Sequence, residues 1–291
     1  MCPLSNYFIQ YYFVQMQHLL RPLTLIPFGA PGVGKSNVLN ILIGRAIFVS
    51  NASAASGLTR SIRSQTAFAL GDPTLIQLTV YDAPGVGDLQ ISIQQMILEL
   101  QSGVGTTVSF DVTLMVFKAS DTRITIQEIM ALKAMKAFFD NFSSRKVMCV
   151  ITHCDKVPVT EPWIAEKLQM FKKYSGIQLS RDQVVLFNNT RDSLKPLVKN
   201  LAPSGDMHVK TNLQQEGLRL MSELPNDFAA KAQHEGMTPE ELQQVKKLQL
   251  QHDEMRKQLA DGEIQQQQLR QQLAQPNYVY IDHGSSGGPC N

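Results

Sequence analysis

Residues Gly29–Ser36 read G-A-P-G-V-G-K-S and lie directly between an apolar run, Leu23–Phe28, and a segment of helical period, Asn37–Ile43. This is the complete G-x-x-x-x-G-K-[ST] pattern, in which a glycine-rich turn from strand to helix directs backbone N–H groups at phosphate oxygens. We expect Lys35 to bridge the outer phosphates and the hydroxyl of Ser36 to ligate magnesium. A plain connecting turn would not explain both side chains at this offset. The predicted phosphate-binding residues are Gly29, Ala30, Pro31, Gly32, Val33, Gly34, Lys35, Ser36 and Asn37.

The order of apolar runs predicts the fold around this loop. From Leu23 to Val198, short apolar runs alternate with longer segments of helical period. This alternation is typical of an α/β protein with a doubly wound, mostly parallel sheet covered by helices. Ligands of such sheets bind at the carboxyl ends of the strands. The five predicted strands are Leu23–Phe28, Leu75–Tyr81, Val112–Phe117, Lys146–Thr152 and Val184–Phe187.

The composition changes after Leu201, where Pro203, Ser204 and Gly205 make a break. We therefore predict three parts: an N-terminal segment 1–21 that is either a packing helix or a poorly ordered lead, an α/β domain 22–203, and a helical, Gln-rich extension 204–291 with a flexible tail. A long helix is expected from the capping box of Thr238 and Glu241 to Gln275. Its apolar seam is interrupted by polar residues, so a helical bundle partner and docking back onto the α/β domain are favoured as much as a free coiled coil.

Charge and cysteine content limit the function classes. The chain has 27 Lys and Arg against 25 Asp and Glu, which is too balanced for a dedicated nucleic-acid binder. None of the four cysteines forms a C-x-x-C pair, which favours a reducing compartment. No run of 18 apolar residues occurs, and the N-terminal stretch does not read as a secretory signal. We expect a cytoplasmic protein without a transmembrane anchor.

The D-A-P-G sequence of residues 82–85 follows the second predicted strand. In phosphate-loop nucleotidases an acidic residue at this place reaches the magnesium ion, and a nearby backbone N–H senses the third phosphate. Asp82 and Gly85 are the candidates for these two roles. A bare Pro-Gly turn after a strand is the alternative interpretation.

The T-H-C-D sequence of residues 152–155 ends the fourth predicted strand, starting with Thr152. A carboxylate at Asp155 accepts from the ring N–H and the exocyclic amine of guanine together, whereas adenine would leave it unpaired. His153 lays its ring on the base face or is an exposed turn residue. Asn188 and Asn189, at the end of the last strand, supply amides for the guanine carbonyl or begin an ordinary turn.

In this order the motifs resemble the avirulence-induced-gene (AIG) type of GTPases, which include the animal GIMAP proteins and are related to the Toc receptors and septins. The resemblance covers Leu23–Leu197 and rests on G-A-P-G-V-G-K-S, N-I-L-I-G-R-A-I-F, the threonine box Ser56–Thr59, D-A-P-G, T-R-I-T-I-Q-E, T-H-C-D and V-V-L-F-N-N. It implies that GTP or GDP binds with Mg²⁺. It also implies that Thr59 joins Ser36 and Asp82 as a magnesium ligand in the triphosphate state.

The resemblance further implies a homodimer or homo-oligomer formed through GTPase domains whose nucleotides face each other. Val86 stands where Ras-like enzymes carry a water-positioning Gln, so slow intrinsic hydrolysis is expected. We predict catalytic roles for Lys35, Thr59 and Arg123, with Arg123 presented to the partner; Arg60 and Arg63 are its rivals. Arg123 is otherwise a decoration of the turn before a capping box. A GTP-holding scaffold that assembles like a septin remains an alternative, and Asp155 disfavours an ATP-using enzyme.

Overall fold

The computed structural model describes residues 21–50, 59, 61–86, 93–105, 108–121, 123–203, 205 and 207–274. Six strands form the main sheet, in the order β2-β3-β1-β5-β6-β7, and β4 pairs with β8 in a small second sheet. Only the β2–β3 pair of the main sheet is antiparallel. The predicted doubly wound, mostly parallel fold is therefore confirmed. The strands are β1 (Leu23–Phe28), β2 (Arg63–Phe68), β3 (Gln77–Asp82), β4 (Ser109–Phe110), β5 (Val112–Lys118), β6 (Val147–Thr152), β7 (Val184–Leu186) and β8 (Met207–His208).

Seven α-helices accompany these strands in the described part of the chain. Four of them begin at threonines whose hydroxyls accept an N–H of the first turn, namely Thr125, Thr160, Thr190 and Thr238. Such caps satisfy amides that have no partner inside the helix. The helices are α1 (Lys35–Leu42), α2 (Ile93–Gly103), α3 (Ile126–Phe138), α4 (Glu161–Ser175), α5 (Arg191–Asn200), α6 (Leu213–Glu235) and α7 (Pro239–Ala274).

The central strands are buried on both faces. In β1, Leu25 belongs to one apolar cluster and Ile26 to the other, because successive side chains of a strand point to opposite faces. All residues of β1 and β6 are buried. This two-sided burial is the reason why these strands read as continuous apolar runs.

The edge strand β2 was not predicted. Its sequence, R-S-Q-T-A-F, is mostly polar, and only Ala67 of the six residues is buried. The strand exists because β3 supplies hydrogen-bonding partners along its whole length, from Arg63 opposite Asp82 to Phe68 opposite Gln77. A search of the sequence for apolar runs does not detect an edge strand of this kind.

Helix α6 lies within the extension that was predicted to be helical, although its bounds were not predicted, and it joins the main core. Leu220, Leu224 and Phe228 are each at most 2% exposed, in the same apolar cluster as Ile26. At Gly217, the missing side chain lets α6 approach Ile97 of α2 closely. The boundary near residue 203 stays a prediction, but the apolar core continues across it.

Helix α7 begins as predicted, with Thr238 and Glu241 exchanging the two hydrogen bonds of a capping box. Its first half docks back onto the sheet domain: Met255 is 4% exposed, and Gln244 accepts a 2.7 Å hydrogen bond from Gln127 of α3. Of the arrangements considered for the extension, the described residues adopt docking onto the domain. None of the described helices has the length and apolar content to cross a membrane.

Candidate functional site

The loop after β1 has the backbone shape that its glycines allow. Gly32 has φ 73° and Gly34 has φ 95°, in the left-handed region that favours glycine. A Cβ on Gly29 would lie 2.5 Å from the carbonyl oxygen of Val116, so β5 requires a glycine there. Helix α1 follows with Gly34 as its N-cap residue, which has no side chain to cap the helix. A helix N-terminus of this kind, after a glycine-rich loop, is a site for an anion.

The side chain of Lys35 folds over this loop. Its Nζ donates to the carbonyl oxygens of Gly29 at 3.2 Å and Ala30 at 2.9 Å, and the residue is 6% exposed. Carbonyl oxygens orient the ammonium without cancelling its charge. The loop thus carries a fixed positive charge beside its backbone amides.

Three predicted magnesium ligands meet at one point. The hydroxyl of Ser36 lies 3.0 and 2.9 Å from the two carboxylate oxygens of Asp82. The hydroxyl of Thr59 lies 3.1 Å from Asp82 Oδ2 and 3.3 Å from Ser36 Oγ. Oxygen atoms of carboxylates and hydroxyls are the ligands of Mg²⁺. The first turn of α1, the end of β3 and the loop before β2 together build this oxygen cluster.

Burial raises the pKa of the Asp82 carboxyl, which is 3% exposed. Hydrogen bonds from Ser36 and Thr59 act in the opposite direction, and so do the charges of Lys35 and Arg63. A buried carboxylate is costly unless it is hydrogen-bonded or paired with a cation. A divalent ion would satisfy this group.

The D-A-P-G turn rests on the phosphate loop. A Cβ on Gly85 would lie 2.7 Å from both the nitrogen and the Cα of Pro31, and the N–H of Val86 donates to the carbonyl of Gly29 at 3.2 Å. Val86 is 1% exposed and packs in the core. The side chain of the residue after Gly85 therefore faces the core.

Thr152 joins the end of β6 to the same loop. Its hydroxyl lies 2.7 Å from the carbonyl oxygen of Val33, 3.1 Å from that of Phe117 and 2.9 Å from His153 Nδ1. The hydroxyl has one hydrogen, which a carbonyl oxygen accepts, so the ring nitrogen of His153 donates to it. His153 therefore carries its proton on Nδ1.

His153 has φ 61°, and its Cε1 would lie 3.7 Å from a Cβ on Gly34. The ring is thus beside the phosphate loop. Burial lowers its pKa, and the nearby charges of Lys118 and Lys156 lower it further. The neutral ring is the form that this surrounding favours.

The remaining predicted base-binding residues lie at the same edge of the sheet. Asp155 is exposed, two residues after His153. Asn189, with φ 66°, accepts a 2.8 Å hydrogen bond from the amide of Asn37 in α1, and Asn188 accepts one of 2.6 Å from Thr190. The loop after β7 is thereby tied to the helix that follows the phosphate loop.

This geometry agrees with a comparison of the sequence with known families. The sequence profile of the AIG1 family matches residues 23–200. This chain belongs to the AIG1 family. Two Arabidopsis thaliana proteins, immune-associated nucleotide-binding proteins 3 and 7, are each 26% identical to it over 175 residues, or 59% of this chain. The match covers 51% and 55% of those proteins, so the chain spans about half the length of these curated relatives.

Solved structures with the same fold include members of the chloroplast translocon. A dimerisation-deficient variant of Arabidopsis thaliana Toc33 has a TM-score of 0.52 at 17% identity, covering 69% of this chain and 93% of its own. A structure of atToc33 and psToc159, for which dimerisation is described as important for GTPase activity, has a TM-score of 0.53 at 18% identity and covers 70% and 93%. The AIG1-family chain therefore has the fold of these GTPases.

The arginine candidates of this AIG1-family chain lie in different places. Arg123 is exposed in the turn before α3, where Thr125 and Glu128 form the predicted capping box. Arg63 is exposed at the start of β2, opposite Asp82, whose pKa its charge lowers. Arg60 lies outside the described residues.

Sequence reasoning missed several charged neighbours of the site. Lys118 ends β5, and Asp121 follows in the loop; the charges of both act on His153. It also missed Lys167 of α4, whose Nζ lies 3.5 Å from Glu128 and 3.3 Å from the carbonyl oxygen of Arg123. A lysine in an amphipathic helix carries no sequence signal of such a buried role.

Proposed function

We propose that this chain binds GTP and GDP with Mg²⁺ and hydrolyses GTP slowly, with faster turnover in a homodimer formed through the nucleotide domain. The observation that carries the proposal is the oxygen cluster of Ser36, Thr59 and Asp82 beside the phosphate loop. These residues come from three separate parts of the chain. Their convergence at the N-terminus of α1 is what a metal-bound triphosphate requires.

The phosphate end of the site has the charge and donors for a nucleotide. Backbone amides from Gly29 to Ser36 would hold the phosphate oxygens, and Lys35 would turn from its carbonyl partners to the outer phosphates. Ser36, Thr59 and Asp82 would hold Mg²⁺, which neutralises charge on the β- and γ-phosphates. Thr59 precedes β2 in a separate loop. We infer that its place as a magnesium ligand depends on the presence of the third phosphate.

Guanine recognition would fall to the loops after β6 and β7. Asp155 is exposed at the edge and would accept from the two N–H groups of the base, and His153 would lie along its face. Asn188 and Asn189 would surround the guanine carbonyl. Thr152 supports this arrangement because its hydroxyl fixes His153 and the phosphate loop together.

Slow intrinsic turnover follows from Val86. Its side chain is buried, so the usual water-positioning group is absent from that position. A residue presented by a partner would then supply the missing stabilisation, and exposed Arg123 is our candidate, with Arg63 and Arg60 as rivals. The description of dimerisation as important for atToc33 and psToc159 supports a dimer here too.

Two measurements test this proposal. The purified chain should carry GDP or GTP when its bound nucleotides are separated by chromatography, and a Lys35→Ala protein should carry neither. Phosphate release per protein molecule should then rise with protein concentration. Bound ATP would contradict guanine selectivity, and a negligible rate at every concentration would favour the scaffold that assembles like a septin. The cytoplasmic location, the absence of a nucleic-acid partner and a helical partner for the extension stay predictions.

A further inference from the structure

Lys167 is a buried cation in α4. Its side chain is 5% exposed, and its Nζ lies 5.3 Å from the ring centre of Trp163 and 5.7 Å from that of Phe117. It donates 3.3 Å to the backbone carbonyl oxygen of Arg123. The ammonium therefore reaches from α4 to the turn that precedes α3.

Glu128 meets Lys167 from the other side. Its carboxylate is fully buried, and Oε2 lies 3.5 Å from Nζ and accepts a 2.8 Å hydrogen bond from the N–H of Thr125. Within the described part of the chain, Oε1 has no hydrogen-bonding partner. The two side chains together hold the backbone at Arg123 through its carbonyl and at Thr125 through its amide.

The held turn belongs to the nucleotide edge of the sheet. It follows β5, whose successor Ala119 donates to the carbonyl of Thr152, and the charge of Asp121 acts on His153. Lys167 holds the backbone of Arg123 in the segment that follows these contacts, and the side chain of Arg123 is exposed.

Stability alone gives little reason for charges at this place. Removing two charges from water is costly, and exchanging a buried ion pair for neutral side chains of similar volume is often neutral or stabilising. The unpartnered Oε1 adds to that cost. What the charged pair adds is the placement of the groups that it binds, the carbonyl of Arg123 and the amide of Thr125.

We propose that Lys167 and Glu128 are positioning residues that fix the turn of Arg123. Because the backbone of Arg123 is already ordered, its guanidinium can enter the nucleotide site of a partner copy without a further loss of backbone entropy. The inference rests on the proposed dimer-dependent GTPase activity. Neither residue is among those that would hold the nucleotide, and both side chains are buried. Their effect therefore appears only in the accelerated rate of the dimer.

The test uses a neutral pair, Lys167→Met with Glu128→Gln, in the full chain. Gln still accepts from the N–H of Thr125, and Met fills the space of the lysine without donating to Arg123. We expect the concentration-dependent part of GTP turnover to fall about tenfold to a hundredfold, because a small displacement of a catalytic group lowers a rate by about this factor. The nucleotide dissociation constant and the melting temperature should stay near those of the wild type.

A second buried pair provides a matched control. Lys231 lies 3.1 Å from Glu241, donates 3.2 Å to the carbonyl oxygen of Gly236, and is paired with the glutamate of a capping box, but it joins α6 to α7. Lys231→Met with Glu241→Gln should retain the full acceleration. If the 128/167 double variant does not fold, Lys167→Leu with Glu128→Gln gives the same comparison, since it leaves neither a buried charge nor a donor to the carbonyl oxygen of Arg123.

The outcomes separate this inference from the proposed function. A wild-type rate that does not change with concentration would overturn the proposed function and this inference with it. An accelerating wild type together with an equally accelerating 128/167 variant would overturn the inference alone. An equal loss in the control pair, or a melting temperature well below that of the control, would make the pair a structural element and overturn it as well.

Discussion

The hydroxyl of Ser36 donates to the carboxylate of Asp82, with both carboxylate oxygens within 3.0 Å, across 46 positions of the chain. Ser36 lies in the first turn of α1 and Asp82 ends β3, so the contact requires the parallel order of the sheet. Because Asp82 is buried, its carboxylate needs these donors or a cation. The pair therefore supplies two of the three side chains that we propose as magnesium ligands.

Loss of the Ser36 hydroxyl should weaken metal-dependent nucleotide binding. We expect Ser36→Ala to lower Mg²⁺-dependent GTP affinity about tenfold to a hundredfold or more. Removing even a group that only supports a metal ligand lowers metal affinity by about this factor. Titration of a fluorescent GTP analogue with and without Mg²⁺ measures the effect. Ser36→Thr keeps the hydroxyl and should bind normally. Loss of the circular dichroism signal in the alanine variant would instead indicate a structural role.

Asp155→Asn should change the base preference. The amide NH₂ of the variant would face the guanine N–H, so that two donors meet. GTP affinity should therefore fall by about a hundredfold or more, because a polar site strongly rejects a ligand that leaves its hydrogen bonds unmade. Xanthine offers an acceptor at that place and should bind better than guanine to the variant. Competition between GTP and XTP for the two proteins measures the exchange. An unchanged preference would remove Asp155 from the base site.

His153 predicts a dependence of stability on pH. Its pKa is lowered by burial from the ordinary 6.5, so below that value the unfolded chain takes up a proton that the folded chain refuses. This contribution to stability is present above pH 6.5 and is lost as the pH falls towards the lowered pKa. His153→Asn removes the titrating ring, and Asn tolerates the φ of 61°. Melting temperatures of the nucleotide-free proteins should therefore fall more on acidification for the wild type; equal slopes would contradict the prediction.

Arg123→Ala should separate turnover from binding. An arginine supplied by a partner is worth on the order of a thousandfold or more in rate, so the concentration-dependent turnover should vanish while GTP affinity stays nearly unchanged. Phosphate release at increasing protein concentration measures this. Arg63→Ala is the comparison, because Arg63 is exposed beside Asp82. If Arg63→Ala loses the acceleration and Arg123→Ala keeps it, the role belongs to Arg63.

The two described cysteines should differ in reactivity. Complete burial raises the pKa of the Cys149 thiol to about 12, whereas Cys154 is half-buried in the base loop. In a Cys2→Ser/Cys290→Ser background, a thiol reagent should label Cys154 slowly and leave Cys149 unlabelled until the chain unfolds. Added GDP should slow the labelling of Cys154. Fast reaction of Cys149 in the folded chain would contradict its burial.

The sequence was most informative where a feature depends on residues that are adjacent in the chain. The phosphate loop was predicted from residues 29–36 because its glycines, lysine and serine serve one local geometry, and β1 and β6 because both of their faces are buried. The edge strand β2 was missed since its partner β3, rather than its own residues, gives it structure. The bounds of helix α6 were not predicted, because polar residues and Pro225 obscure its apolar face.

Contacts between distant side chains were beyond sequence reasoning. The residues Asn37 and Asn189 were both predicted to bind nucleotide, yet nothing in the sequence showed that they hydrogen-bond each other across 152 positions. The pair of Glu128 and Lys167 is a similar case. Such contacts depend on the crossing of helices over the sheet, which local patterns do not specify.

The shared core of α6 has a consequence for how this protein comes apart. Leu213, Leu220, Leu224 and Phe228 are each at most 2% exposed against the sheet domain, and each such side chain contributes about 1.5–3 kcal/mol on burial. A chain cut after Asn200, at the end of the family match, would leave the opposing apolar surface in water. The extension and the sheet should therefore melt in a single cooperative transition, and the matched segment alone should aggregate where the longer chain stays dispersed.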